Sequence, residues 1–162
     1  MNTIQRIRSL ENRLKHHDYE AIFTRGACFH FALRLHKRFG YPIRGHRIED
    51  GNGSPQLSHV WAICRSENRA VDIRGVFPEP LLAAMANGGD TCENVGPVTK
   101  EELMSAIGRK HLPEEHTNRL FKLADQIFDT HERFEPARST GAGPHAEAES
   151  LLEELQKRDV RL

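Results

Sequence analysis

The chain has 162 residues, with 23 Lys+Arg against 23 Asp+Glu, 10 His, 3 Cys and 38% hydrophobic residues. That length fits one domain whose core needs neither a disulfide nor a metal to hold it, and zero net charge argues against a nucleic-acid partner, which is bound by unneutralised Lys and Arg. No apolar run reaches the roughly 20 residues of a membrane helix, and MNTIQRIRSLENRLKHH lacks the apolar centre of a signal peptide, so a cytoplasmic location without membrane attachment is expected.

Ile4, Ile7, Leu10 and Leu14 recur at offsets of three and four, which predicts a helix over residues 2–16. Residues 17–25 read as a connector. A second helix runs from Gly26 to Phe39, where Gly40 and Pro42 stop it. Strand character follows at 43–48, then the loop DGNGSP, then a β-hairpin of His59–Cys64 and Ala70–Ile73 around the polar turn Arg65–Arg69. A short helix is expected at 80–86 and another at 100–107, where Thr99 and Glu102 have capping-box spacing. A longer helix covers 113–134, with Leu120, Leu123, Ala124, Ile127 and Phe128 as its buried face. Residues 135–145, EPARSTGAGPH, read as a flexible linker between a domain at 1–134 and a charged helix at 146–162. That last helix is expected to serve a partner or self-association.

The three cysteines, at 28, 64 and 92, form no CxxC pair, so neither a disulfide framework nor a zinc site is suggested. The histidines likewise lack ligand spacing, and no cofactor or metal is expected. Cys28 stands apart because it falls in the first turn of the second helix, where the macrodipole and free N–H groups favour thiolate over thiol. His59 and Asp72 lie on the two strands of the hairpin, the arrangement of a base oriented by a carboxylate. Direct opposition of the two requires a two-residue turn at Arg65-Ser66; a longer turn with Asn68 left-handed makes them meet diagonally. Trp61, on the same strand face as His59, is a candidate floor for a substrate groove, and Gly26 a candidate for close substrate approach.

Three stretches carry a resemblance: Gly26-Ala27-Cys28-Phe29-His30-Phe31-Ala32, Ser58-His59-Val60-Trp61-Ala62, and Val71-Asp72-Ile73-Arg74-Gly75. In that order they resemble the papain-like superfamily, and within it the transglutaminase-like and bacterial effector or phage-associated members. The resemblance covers residues 19–77. It implies an α+β fold with a small antiparallel sheet packed against helices and the nucleophile at a helix N-terminus. It also implies Cys28 as nucleophile, His59 as general base and Asp72 as its orienting residue, acting on an amide of a protein or peptide. Papain-like spacing would put an oxyanion glutamine at position 22, which is Ile22.

The bland readings are that Cys28 is a packing residue on the stripe Cys28, Phe31, Ala32, Leu35 and Phe39, and that Asp72 merely flanks a turn. A non-catalytic adaptor would then use the basic cluster Arg34, Lys37, Arg38, Arg44 and Arg47 together with the terminal helix. Asp is depleted in strands, so Asp72 wants a reason.

Overall fold

A computed structural model describes residues 1–14, 22–24, 26–49, 51–53, 55–65, 68–130 and 142–160. The fold is α+β, an open antiparallel sheet between two layers of helices. In chain order the elements are α1 (Thr3–Leu14), α2 (Cys28–Phe39), β1 (Ile43–Glu49), β2 (Pro55–Cys64), β3 (Arg69–Asp72), β4 (Gly75–Phe77), α3 (Glu79–Ala86), β5 (Val95–Pro97), α4 (Lys100–Gly108), α5 (Glu114–Thr130) and α6 (Ala142–Val160). The sheet order is β4-β3-β2-β1-β5. The first four strands form a meander, and β5 returns after α3 to the free edge of β1.

Alternation along β2 sorts the core. Ala62 and Cys64, with Val71 of β3, pack under Phe31 and Leu35 of α2 and against α5. Trp61 and Ile63, with Ala70, face the other way and are covered by Ile7 and Leu10 of α1, by α3 and by α6. Gly45 explains how closely β1 lies on β2. A Cβ there would stand 2.8 Å from Val60 Cγ1 and 2.9 Å from the His59 carbonyl oxygen, so only glycine fits beside the strand that carries His59.

Local signals act much as the sequence suggests. Gly40 takes a left-handed conformation (φ 72°) and its N–H donates to the His36 carbonyl, closing α2. The Thr99 side chain accepts from the Glu102 N–H at the start of α4. The Glu102 carboxylate turns away to Arg47, so half of the capping box forms. Two strands escape the sequence reading, β4 and β5, each three residues long. β5 is Val95-Gly96-Pro97, a sequence that reads as loop but is tolerated on an edge.

The terminal helix differs from expectation. It begins at Ala142, so residues 142–145 belong to it; the rest of the expected linker, 135–141, and part of the connector, 17–21 and 25, lie outside the described residues. It is no free arm: Ala148, Leu151 and Leu155 are buried against the α1 and α3 side of the core. Arg6–Glu154, Arg13–Glu147 and Arg69–Glu149 ion pairs line its flanks. Burying two leucines contributes about 2–3 kcal/mol each, so truncation after residue 139 should lower the melting temperature by about 10 °C or more. An unchanged calorimetric transition would show that α6 contributes nothing to the fold.

Candidate functional site

The hairpin register decides how the site is assembled. Ala62, Ile63 and Cys64 pair with Val71, Ala70 and Arg69, and Asn68 adopts φ 52°. This is the longer turn with a left-handed Asn, not direct opposition. Asp72 therefore lies diagonal to His59 on one face of the sheet. Aspartate occupies this strand end for a local reason too. Asp72 and Gly75 close a tight β3–β4 turn, and Asp72 Oδ1 accepts the Arg74 N–H at 2.7 Å. Its second oxygen, Oδ2, accepts from His59 Nε2 at 2.8 Å. Asp72 is thus both a turn-flanking carboxylate and the partner of the histidine.

With Nε2 committed to Asp72, the other ring nitrogen is the one available to Cys28, and the thiol and imidazole share a hydrogen bond. Cys28 is the first residue of α2, whose cap residue Ala27 offers no side-chain acceptor. The β2–β3 ladder ends at Ala62, so Val60 lies beyond it, and the Val60 backbone N–H turns to the Cys28 sulfur. On the other side of β2 a bulge falls beside the site, since His46 pairs with His59 and Arg47 with Leu57, leaving Ser58 extra. Such bulges re-aim a side chain next to a site.

The electrostatics follow from these contacts. Burial pushes the Cys28 thiol up, but the charge of His59, its hydrogen bond, the Val60 amide and the Lys110 ammonium outweigh it, leaving the thiol below its usual value. For His59, burial favours the neutral ring, yet the Cys28 thiolate and the hydrogen-bonded Asp72 raise its pKa to about 9. Both directions describe one state, a thiolate–imidazolium pair. Asp72 is driven up by burial and brought below the usual carboxylate range by Arg74 and His59. His46, opposite His59 on β1, is lowered by its burial and then by the charge of His59.

Sequence reasoning passed over Arg74. Its side chain is buried, with Nη1 2.6 Å from Asp72 Oδ2 and Nη2 3.5 Å from Glu11 of α1. Nη1 is also 3.5 Å from His59 Nε2, so the guanidinium closes the far side of the site. The available signal was a charge two residues after Asp72 in an otherwise apolar run, Val71-Asp72-Ile73-Arg74-Gly75-Val76-Phe77.

Of the two residues expected to meet substrate, Gly26 lines a cavity of about 360 Å³ with Cys28, Phe29, Leu57, Arg109 and Lys110. Trp61 does not, and that expectation is corrected. It is fully buried under α1 and α3, and its Nε1 donates to Glu79 Oε1 at 3.0 Å. Ile22 brings no donor to the site; the amide side chain on the cavity wall is Gln56. The basic cluster is largely neutralised within the chain: Arg34 pairs with Asp125, Arg38 with Asp129, Arg44 with Glu79 and Arg47 with Glu102. Cys64 is buried in the core. Cys92 donates to the Ala83 carbonyl oxygen, and burial pushes its pKa to about 11. Among the described residues no cluster of His, Cys, Asp and Glu has metal-binding geometry, and no helix is long and apolar enough to cross a membrane.

No family model, no curated protein and no solved structure matches this chain.

Proposed function

We propose that the protein is a thiol-dependent acyl-transfer enzyme of papain-like or transglutaminase-like type, acting on an amide of a protein or peptide through Cys28, His59 and Asp72. The observation that carries this reading is the hydrogen-bonded chain from Cys28 to His59 to Asp72, with the thiol lowered and the imidazole raised. A packing cysteine needs none of these partners.

In this scheme the Cys28 thiolate bonds to the carbonyl carbon, and the N–H of Cys28 at the start of α2 donates to the oxygen as charge develops there. The C–N bond then breaks, and the imidazolium of His59 gives its proton to the departing nitrogen. Neutral His59 next takes a proton from water or an amine as that molecule attacks the thioester. The C–S bond breaks, and the thiolate–imidazolium pair returns. Water as acceptor gives hydrolysis or deamidation, and an amine gives transglutaminase-type transfer. Asp72 keeps the ring oriented throughout and stabilises its charged form.

The test needs no substrate. At pH 6–7 iodoacetamide should alkylate Cys28 at least about tenfold faster than Cys92 or Cys64, mapped by peptide mass spectrometry, because Cys28 is held as thiolate, burial raises the Cys92 thiol and Cys64 is enclosed in the core. His59→Ala should remove that advantage. Equal, slow labelling of the three thiols sinks the proposal.

A further inference from the structure

The cavity that holds Cys28 is electropositive for a reason the triad does not supply. Arg109 and Lys110, at the end of α4, line it, and among the described residues no Asp or Glu does. Eight of the other described arginines, Arg6, Arg13, Arg34, Arg38, Arg44, Arg47, Arg69 and Arg74, take part in ion pairs, whereas Arg8, Arg65 and Arg119 do not and line no part of this cavity. Arg109 and Lys110 have no ion pair among the described residues. Lys110 is also aimed inward. Its Nζ sits 4.9 Å from the Phe29 ring centroid and 3.8 Å from where a Cβ on Gly26 would stand. Its charge reaches two buried groups from that position, Cys28 and the neutral His30. An ammonium resting on an aromatic face, part-buried and without an anion, is a site prepared for one.

From this we infer that Arg109 and Lys110 bind a carboxylate of the substrate within a few bonds of the amide attacked by Cys28, which makes the substrate an acidic peptide or acylamino acid. The inference rests on Cys28 as nucleophile and adds the substrate class. A cavity of about 360 Å³ has room for an amide and one neighbouring side chain. Phe29 and Leu57 supply apolar wall, while the two cations supply the only charge among the described lining residues. Gly26 matters here because a Cβ at that position would already touch Lys110 Nζ, at 3.8 Å, so a longer side chain would crowd the ammonium.

Iodoacetate and iodoacetamide test this directly, because both report on the same thiolate and differ in one carboxylate. The ratio of their rates at Cys28 cancels the thiolate fraction, so a variant that also changes the thiol's ionisation remains interpretable. In the wild type the iodoacetate-to-iodoacetamide ratio at Cys28 should exceed that of glutathione by about tenfold or more, the scale of focusing by a one-signed cleft. Arg109→Gln combined with Lys110→Gln should bring it down by most of that factor. The imidazolium of His59 is present in both proteins, so the drop isolates the two cations.

N-acetylglutamic acid α-amide and N-acetylglycine, tried as protectants against iodoacetamide, separate a side-chain carboxylate from a chain terminus. Protection by either supports the inference. A ratio equal in wild type and double variant overturns it, even with Cys28 reacting fast. Slow iodoacetamide labelling of Cys28 in the wild type removes instead the nucleophile reading, and the inference with it. A melting curve on the double variant checks that the fold is intact; Arg109 is exposed and Lys110 only part-buried.

Discussion

Asp72→Asn is expected to lower kcat/KM on an amide substrate by about 10³–10⁴-fold while leaving the fold recognisable, and to pull in the alkaline limb of the pH profile. The magnitude is that of a triad whose histidine loses its orienting carboxylate. On the proposed mechanism the competent form is the thiolate–imidazolium pair, so activity should rise with pH through the lowered Cys28 pKa. It should fall again near 9, where His59 gives up the proton meant for the leaving group. Asparagine keeps an oxygen near Nε2 but removes the negative charge, so the imidazolium loses part of what holds it and the alkaline limb moves toward 6.5. Initial rates across pH 5–10 check this, and so does the pH dependence of Cys28 alkylation. An unchanged alkaline limb in the variant would exclude Asp72 from the proton economy of the site.

Stability should respond to pH differently from activity. His59, raised on folding, contributes stability below pH 6.5 that is lost as pH climbs through about 9. Cys28, lowered on folding, contributes in the opposite sense as pH climbs toward the ordinary thiol value of 9.0. One group keeps a proton where the other releases one, so the two slopes offset each other between these limits. Asp72, lowered, adds stability above its ordinary pKa of 3.8 that disappears as pH falls through its folded value.

Much of this site was legible because the signals are local. The helix-start cysteine, the β-like run His59–Cys64 and an aspartate among apolar neighbours all lie within short windows, and Asn68 marks the turn that sets their register. What was not legible depends on layers. Trp61 shares a face with His59, which suggests a groove, but α1 and α3 cover that face. Likewise α6 reads as an appended helix from Leu151, Leu152 and Leu155 alone. The stripe that docks it is Ala148, Leu151 and Leu155, and alanine carries little weight in a hydrophobicity scan. Arg109 and Lys110 come from a helix distant in sequence, and no periodicity announces a cation that turns inward.

Arg74→Met should destabilise the protein by about 3–5 kcal/mol, the range seen when one partner of a buried ion pair is removed. The side chains of Arg74 and Asp72 are each 4% exposed and that of Glu11 is 13%. Methionine fills the space but leaves two carboxylates with no guanidinium between them. The backbone N–H of Arg74 still donates to Asp72 Oδ1, so the tight turn survives and the loss falls on charge. If charge is the cause, Asp72→Asn in the Arg74→Met background should recover part of the lost stability without restoring catalysis, a sign that neither substitution gives alone. Denaturant midpoints at pH 7 measure both effects. A cost under about 1 kcal/mol for Arg74→Met would mean that water reaches this corner of the site and compensates the carboxylates. The full cost would instead identify Arg74 as the positioning residue through which α1, by Glu11, braces the carboxylate that orients His59.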